Sequence, residues 1–486
     1  MNKPIRTMAI FCLVLFVALM LNATYLQYYK AGALNDDPRN RRVIEAAFSR
    51  ERGAILVGRD AIAKSVKSND TYQFQRTYDE PFVYAPVTGY FSFYSQTGIE
   101  KSQNAVLSGD DDRLFVNRLL DVLSNAEPQG GSVQLTLNAA AQKAAYDGLS
   151  ALGDNVQGSV VAIEPSTGKI LAMVSLPTYD PNRLASHDLD AVSKTYDRLN
   201  ADKTEPLLNR SIQTRLPPGS TFKIVTAAAA IESGRYDSSS SVPGGPTYQA
   251  PQTTSVIDNE GRDCGTNRIP FTQAMENSCN TTFAALANEV GADAMLKQAE
   301  AFGFNADYLD DIGPQAQSVF PAGMDPAQTA QAGIGQFEVA ATPLQMAMVV
   351  AGVANDGTVM KPYLVNEVQT PELEVLDPVD PEELSKAVSS STSNELTRLL
   401  VATVDDGTAA PAAIPGIEVA GKTGTAQSGI PDVPPYAWFA SFAPAEDAQV
   451  AVAVMIQKAD IPRGEIAGGL LGGPIAKAVM EAVINS

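Results

Sequence analysis

Three short strings of polar residues have the types and spacing needed for acyl transfer by a serine nucleophile. They are Ser220-Thr-Phe-Lys223, Ser278-Cys-Asn280 and Lys422-Thr-Gly-Thr425, in this order along the chain. A serine hydroxyl is a weak nucleophile until a neighbouring base accepts its proton. A lysine can be that base when burial and a nearby cation lower its pKa. We therefore predict Ser220 as the nucleophile, Lys223 as its base and Lys422 as the nearby cation.

The residues around the first string favour a helix that begins at the serine. Pro217-Pro-Gly-Ser220 precedes an apolar, alanine-rich stretch at 224–231. Ser220 and Lys223 are then expected one helical turn apart on the same face. Ser166-Thr-Gly-Lys169 has the same spacing, but it belongs to a predicted β-turn with proline and glycine, where the two side chains need not share a face. We reject this second string for that reason.

The second string is predicted to lie on a loop between two helices. Ser278 and Asn280 are two residues apart, so both can face one cleft. There Ser278 would relay a proton and Asn280 would bond a substrate amide. By itself, however, a serine two residues before an asparagine more often marks a helix cap or a turn.

The third string is predicted to follow a strand at 417–420. We expect Lys422, Thr423 and Thr425 to bind a terminal carboxylate of the substrate. Gly424 has no side chain, so the substrate backbone would be able to lie close to the strand edge. An ordinary strand end with a turn is the alternative interpretation of this string alone.

The composition disfavours several other chemistries. Of 486 residues, 55 are acidic and 35 are basic, and the resulting net charge of −20 argues against nucleic-acid binding, which requires a basic surface. The single histidine, His187, and the three cysteines have no metal-ligand spacing. A zinc hydrolase and a Ser-His-Asp triad are therefore disfavoured, and His187 is expected in a polar loop.

The N-terminus and the periodicity predict an anchored α+β protein. An apolar run at 8–21 follows Lys3 and Arg6. We favour an uncleaved membrane anchor over a signal peptide that is cut after Ala23. Either interpretation places the rest of the chain outside the cytoplasm. Two early strands, a helical middle, three late strands and a last helix predict one sheet built from both ends of a domain. The predicted strands are 158–163, 170–174, 416–420, 438–442 and 450–456, the helical segments are 220–355 and 474–484, and 377–383 and 389–393 are predicted loops.

These strings, their order and their neighbours resemble a class B penicillin-binding protein, a membrane-anchored D,D-transpeptidase of peptidoglycan synthesis. Further matching strings lie throughout the chain, and the Ser-Cys-Asn string is most similar to actinobacterial members of that family. Among the matching strings are Arg52-Gly-Ala-Ile55, Gly98-Ile-Glu100, Gly407-Thr-Ala409 and Ala437-Trp-Phe439. The resemblance implies a penicillin-binding-protein/serine β-lactamase-like transpeptidase domain, with an antiparallel sheet flanked by helices and a mostly helical subdomain. It also implies a smaller N-terminal pedestal domain.

The resemblance also implies the roles of the site residues and the partners. Ser220 would attack the D-Ala-D-Ala carbonyl of a stem peptide, with Lys223 as general base and Ser278 as proton relay. β-Lactams would acylate the same serine. Asn280 and the residues Lys422, Thr423, Gly424 and Thr425 would hold substrate, and the backbone N–H groups of Ser220 and Thr425 would form the oxyanion hole. The expected partners are stem peptides, β-lactams, the membrane and cell-division or elongation proteins, with no metal or organic cofactor and no nucleic acid.

The expected organisation is a cytoplasmic tip and transmembrane anchor at 1–30, a non-catalytic pedestal at 31–130 and a transpeptidase domain at 131–486. The plasma membrane, with a single pass and an extracellular catalytic domain, is the expected location. A class A β-lactamase is disfavoured because no Glu-x-x-Leu-Asn string lies between Asn280 and Lys422. A D,D-carboxypeptidase and a non-catalytic β-lactam-binding sensor or scaffold remain alternatives. For Cys264 and Cys279 we hypothesise a disulfide, with a buried free thiol as the alternative.

Overall fold

The computed structural model describes residues 3–30, 34, 48–114, 129–430 and 433–486. The strands are β1 Ile55–Val57, β2 Asp60–Lys67, β3 Phe74–Tyr78, β4 Ser132–Leu135, β5 Gln157–Ile163, β6 Ile170–Leu176, β7 Ser241–Pro243, β8 Thr247–Gln249, β9 Val256–Asp258, β10 Arg268–Pro270, β11 Thr358–Met360, β12 Val365–Gln369, β13 Val375–Pro378, β14 Glu383–Lys386, β15 Ala420–Ala426, β16 Tyr436–Ala443 and β17 Val450–Lys458. The α-helices are α1 Lys3–Thr24, α2 Pro81–Thr88, α3 Gly98–Ser102, α4 Asn104–Ser108, α5 Ala139–Ser150, α6 Leu189–Ala201, α7 Arg210–Gln213, α8 Lys223–Glu232, α9 Phe271–Glu276, α10 Asn280–Val290, α11 Ala292–Ala301, α12 Pro326–Ala332, α13 Pro343–Ala354, α14 Ser390–Asp405 and α15 Gly468–Ile484.

The N-terminal apolar run forms a helix that is long and apolar enough to cross a membrane. Together α1 and the helical turn Tyr25–Tyr29 span 27 residues, and an 18-residue stretch within them has a mean hydropathy of 2.3. No residue of either helical segment is buried in the protein. At 1.5 Å per residue this length exceeds the ~30 Å of a bilayer core. A signal sequence would meet the same criteria of length and composition.

A five-stranded antiparallel sheet forms the centre of the larger domain, in the order β15-β16-β17-β5-β6. The helices α5 and α15 pack on one face and α13 packs on the other. Because both faces are covered, every residue of β16 is buried. The prediction that strands from both ends of the domain share one sheet is confirmed.

Most of the residues between β6 and β15 form the mostly helical subdomain. Its helices α8 to α14 surround a core of alanine, methionine and phenylalanine side chains, and α8 itself is buried along nearly its whole length. Two short antiparallel pairs, β7 with β10 and β8 with β9, lie between α8 and α9. The predicted α+β fold class is confirmed.

A six-stranded sheet, β13-β12-β4-β1-β2-β3, occupies the N-terminal part. It combines strands on both sides of the predicted boundary at residue 131, because β1 pairs in parallel with β4 and β4 pairs with β12. The division at 30 and 130 stays a prediction. The sequence also has a basic stretch at 39–42 and predicts a linker at 125–131. The basic stretch and residues 125–128 of this linker lie outside the described residues.

Two local predictions are wrong, and a third is correct only in part. The strand expected at 416–420 begins at Ala420 and continues to Ala426, because Gly416 has a left-handed φ of 79° that belongs to a turn. The expected loop at 389–393 is the start of α14, where Ser389 caps the helix by accepting from Thr392 N at 3.2 Å. The expected loop at 377–383 connects β13 to β14 and includes the ends of both strands.

Candidate active site

Ser220 lies in a tight turn that leads directly into a buried helix. A 3₁₀ turn, Gly219–Phe222, continues as α8, whose first residue is Lys223. Gly219 has a φ of 54°, and a side chain there would lie 3.0 Å from the Cβ atom of Ala426 in β15. This close approach brings Ser220 next to β15. The predicted helical placement of Ser220 and Lys223 is confirmed, with the serine in the 3₁₀ turn.

The amine of Lys223 is completely buried and makes three hydrogen bonds to the second string. Its Nζ atom donates to Ser278 O at 2.7 Å, to Asn280 Oδ1 at 2.7 Å and to Ser278 Oγ at 3.2 Å. In the described part of the chain, these hydrogen bonds do not include Ser220. The ring of Phe283 lies 5.4 Å from Nζ. Three acceptors match the three donors of an ammonium group, so this geometry suits the protonated lysine.

Lys422 contacts the same serine from strand β15. It is fully buried in β15, and its Nζ atom donates to Ser278 Oγ at 2.8 Å and to Thr423 O at 3.1 Å. Ser278 Oγ therefore accepts hydrogen bonds from two lysine amines. Its own O–H group remains available as a donor.

The electrostatics of the two lysines agree with their burial. The pKa of Lys223 lies well below its usual value, first because of burial and then because of the positive charges of Lys422 and Arg262, while Glu260 opposes the shift. Burial, followed by the charge of Arg262, lowers the pKa of Lys422 to about 7. Because a neutral lysine can accept a proton, this environment is suited to base catalysis.

The loop that carries Ser278 has a strained and firmly held backbone. It connects α9 to α10, and Ser278 itself has a left-handed φ of 53°. Cys279 N donates to Ala274 O at 2.9 Å. The hypothesised disulfide is present: Cys264 and Cys279 are bonded, with their Cα atoms 5.9 Å apart. This covalent link joins the loop to the segment after β9.

The third string lies inside strand β15, with alternate residues facing the cleft. Thr423 and Thr425 line the cleft, and Thr423 Oγ1 donates to Thr408 Oγ1 at 2.9 Å. Gly424 points the other way: a Cβ atom there would lie 2.8 Å from Pro218 O and 3.0 Å from Thr221 Cγ2. The absent side chain therefore makes room for the turn that carries Ser220. The prediction that Gly424 lets a substrate backbone approach the strand does not match this orientation.

These elements enclose a cleft of about 290 Å³. Of the predicted residues, four line it directly, and Lys223 and Lys422 lie buried behind them. The four are Ser220, Ser278, Thr423 and Thr425. Asn280 contributes through its hydrogen bond to Lys223. His187 is outside this lining and sits in a loop, as predicted, bonded to Asp70 and in edge contact with Phe48.

Comparison with known proteins shows which family the chain belongs to. A family model described as the penicillin binding protein transpeptidase domain matches residues 158–481, which is more than half of the chain. The chain belongs to the penicillin-binding protein family. A second model, the penicillin binding protein A dimerisation domain, matches residues 52–133 of this penicillin-binding protein.

Relatives of this penicillin-binding protein match it over its full length. The peptidoglycan D,D-transpeptidase PbpA of Mycolicibacterium smegmatis is 42% identical over 100% of this chain and 99% of the relative. The protein of the same name from Mycobacterium tuberculosis is 39% identical over the same shares. The structure of penicillin-binding protein A from M. tuberculosis as a ceftriaxone acyl-enzyme complex superposes with a TM-score of 0.85 at 38% identity, covering 90% of this chain and all of that one. The predicted likeness to actinobacterial members of the family is confirmed, and the matched members are penicillin-binding protein A.

Sequence reasoning missed several residues of the cleft in this penicillin-binding protein. Arg262, Thr408 and the start of α15, including Gly468 and Leu470, also line it. Thr408 lies in the string Gly407-Thr-Ala409, which carries part of the family resemblance. The sequence could therefore have indicated Thr408 as a residue of the cleft. Arg262 has no motif of its own. Its one sequence signal is its position two residues before Cys264.

Proposed function

We propose that this penicillin-binding protein is a serine D,D-transpeptidase that cross-links peptidoglycan stem peptides through an acyl-enzyme on Ser220. The observation that carries the proposal is the Ser278 hydroxyl, which accepts from two buried lysine amines at the wall of the cleft that Ser220 lines. The full-length relatives are named peptidoglycan D,D-transpeptidase, and structures of the M. tuberculosis protein hold β-lactams as acyl-enzymes. Both facts support the same chemistry here.

Acylation begins with neutral Lys223. The Oγ atom of Ser220 attacks the carbonyl carbon of the penultimate D-alanine while its proton passes to Lys223. The negative charge that develops on the carbonyl oxygen is stabilised by the backbone N–H groups of Ser220 and Thr425. The C–N bond to the terminal D-alanine then breaks, and the leaving amine takes a proton from Ser278, which regains one from a neighbouring lysine ammonium. D-Alanine leaves and the ester on Ser220 remains.

Deacylation repeats these steps in reverse with a different amine. An amine of a second stem peptide attacks the ester, gives its proton to the Ser278–lysine group, and releases Ser220 with its proton restored. Asn280, Lys422, Thr423, Gly424 and Thr425 form the substrate-binding part of the site. Thr423 and Thr425 present hydroxyls to a substrate carboxylate. Asn280, Lys422 and Gly424 position the segments that form the sides of the cleft. A β-lactam acylates Ser220 by the first half of this route.

The location follows from the N-terminal helix and its flanking charges. Lys3 and Arg6 precede the apolar stretch of α1, and the positive-inside rule orients such a helix with that end in the cytoplasm. The protein thus crosses the plasma membrane once, with the catalytic domain outside, next to its peptidoglycan substrate. Proteins of cell division or elongation are its proposed partners there.

Intact mass of the purified full-length protein in detergent, after incubation with benzylpenicillin, tests the acyl-enzyme. The wild type should gain the mass of one penicillin and Ser220→Ala should gain none. Ser166→Ala, in the rejected string of the same spacing, should still form the adduct. An adduct on Ser220→Ala would contradict the proposed nucleophile.

A donor peptide ending in D-Ala-D-Ala, given together with an amine acceptor, distinguishes the remaining functions. A cross-linked product supports the transpeptidase. Hydrolysed donor without cross-link would indicate a D,D-carboxypeptidase. A stable penicillin adduct with neither product would indicate a non-catalytic sensor or scaffold.

A further inference from the structure

We propose that Arg262 is a positioning residue of the acyl-transfer site, whose positive charge, balanced by Glu260, adjusts the general base Lys223. The inference rests on the proposed function, in which Lys223 accepts the proton of Ser220. Arg262 lies outside all three strings, in the segment between β9 and β10, and lines the cleft together with Ser220 and Ser278.

Arg262 and Lys223 share one acceptor. The Nη1 atom of Arg262 donates to Ser278 O at 3.0 Å, and Lys223 Nζ donates to the same oxygen at 2.7 Å. Nη1 also reaches Asn277 O at 3.4 Å. A single carbonyl oxygen thus holds two positive groups close to each other. The positive charge of Arg262 therefore disfavours the protonated form of Lys223. The guanidinium itself keeps its proton.

The segment that carries Arg262 is fastened to the Ser278 loop on both sides of the arginine. The disulfide between Cys264 and Cys279 is one link. Three hydrogen bonds add to it: Asn277 Nδ2 to Asp263 O at 2.8 Å, Asn280 Nδ2 to Asp258 O at 3.0 Å and Thr281 N to Asn259 Oδ1 at 3.0 Å. These links span residues 258–264 and 277–281, so the position of the arginine relative to Lys223 is set by the backbone.

Glu260 acts in the opposite direction. Its Oε2 atom accepts from Arg262 Nη2, so the carboxylate lies behind the guanidinium as seen from Ser278. The charged groups that act on Lys223 are Lys422 from β15, together with Arg262 and Glu260 from this segment. The Arg262 side chain is 28% exposed and that of Glu260 is 47% exposed. Solvent screens both, and the carboxylate more than the guanidinium.

The pH dependence of acylation tests this arrangement. The rate constant for acylation by benzylpenicillin should rise with pH as Lys223 loses its proton. In Arg262→Gln the loss of a positive charge raises the pKa of Lys223, so the rising limb should move to higher pH by about half to one unit, the size left after screening of a nearby charge. In Glu260→Gln the limb should move to lower pH, by a smaller amount. Arg262→Lys keeps the charge and should restore the wild-type limb.

Arg268→Gln is the matched control, because it removes an exposed arginine of β10 that bonds Ser241. Its limb should coincide with that of the wild type, and thermal unfolding of each variant reports whether it folds. Coincident limbs for Arg262→Gln and wild type, or shifts of both charge variants in one direction, would overturn the inference. A wild type that forms no adduct would instead refute the proposed function, so the two failures are distinguishable.

Discussion

Ser278 is the residue at which the three strings meet. Its hydroxyl lies between the amines of Lys223 and Lys422, and its carbonyl lies between Lys223 and Arg262. The left-handed φ of 53° allows one residue to present both groups to cations. Strain of this kind, about 1–2 kcal/mol for a residue with a side chain, is typical of functional positions. The acceptors around Lys223 suit an ammonium group, but burial and the neighbouring positive charges lower the pKa of both lysines and so favour their neutral forms.

The same burial predicts how Lys422 affects stability as pH changes. Its pKa falls from 10.5 to about 7 on folding, so between these values the unfolded chain holds a proton that the folded chain has released. The free energy of unfolding of the wild type should therefore rise with pH across this window. Lys422→Met removes this titration. The variant should be more stable than the wild type by up to a few kcal/mol at pH 6, at about 1.4 kcal/mol per pKa unit, and the gain should shrink towards pH 10.

Urea unfolding at pH 6 and pH 10 measures this difference. Lys458→Met, at the exposed end of β17, removes a surface lysine from the same sheet and should give no comparable change between the two pH values. An equal gain for Lys422→Met at both values would contradict a lowered pKa for Lys422.

At the scale of elements, glycines allow the Ser220 turn and α15 to pack closely against β15. Gly424 faces the turn that carries Ser220, and Gly468 at the start of α15 packs against Gly424, where a Cβ atom would lie 2.5 Å from Gly424 O. Thr403 in α14 donates to Gly421 O. The strand is therefore held between the nucleophile turn and two helices, which fixes the distance between Ser220 and Lys422.

Gly424→Ala should consequently impair the site by displacing the Ser220 turn. The new methyl group would lie 2.8 Å from the backbone oxygen of Pro218, and overpacking of this kind costs about 1–3 kcal/mol. We expect a lower melting temperature and a reduced rate of penicillin acylation. Gly464→Ala is the control, because a Cβ atom there meets nothing within 4 Å. If Gly424→Ala matched it in stability and rate, the spacing argument would be wrong.

At the scale of the whole molecule, the N-terminal sheet is tied to the catalytic domain by shared strands, and a buried ion cluster stabilises it internally. Strands β4 and β12 join it from later parts of the chain. Glu100 is fully buried and accepts from Arg52 Nε at 2.6 Å and from Arg76 Nε at 2.6 Å. Although burial acts to raise the pKa of Glu100, the two arginines outweigh it and the pKa is lowered. Arg76 also donates to Gly53 O at 2.7 Å, just before β1.

Glu100→Gln should therefore destabilise the N-terminal sheet severely. It preserves the volume of the side chain but leaves two buried guanidinium groups without a counter-charge, which costs about 3–5 kcal/mol. Asp79→Asn breaks the exposed pair with Lys64, at 2.8 Å, and should cost less than about 1 kcal/mol. Urea unfolding of the two variants compares these costs. A Glu100→Gln cost as small as that of Asp79→Asn would show that the cluster contributes little.

Much of the catalytic domain could be predicted from patterns that are local in sequence. The central strands and α8 follow from runs of apolar residues, and the turn at 165–168 was correctly separated from the Ser220 string by its proline and glycine. The start of α14 was missed because a run of serine and threonine has the composition of a loop, although Ser389 serves as a helix cap. The extent of β15 was missed because its glycines and threonines are buried by segments distant in sequence, namely β16, the Ser220 turn, α14 and α15.

The sequence by itself determined the chemistry of the site: a serine with a lysine one turn later, a second serine, and a second lysine on a strand, in an order that indicates the family. These are properties of residue type and spacing, which the chain carries before it folds. Only the tertiary structure decided that both lysine amines meet on Ser278, that Gly424 faces inward and that Arg262 joins the site. Such relations depend on contacts between segments that are 16 residues apart for Arg262 and Ser278, 55 for Lys223 and Ser278, and 144 for Lys422 and Ser278. Others depend on the direction of one backbone angle, and a local pattern encodes neither.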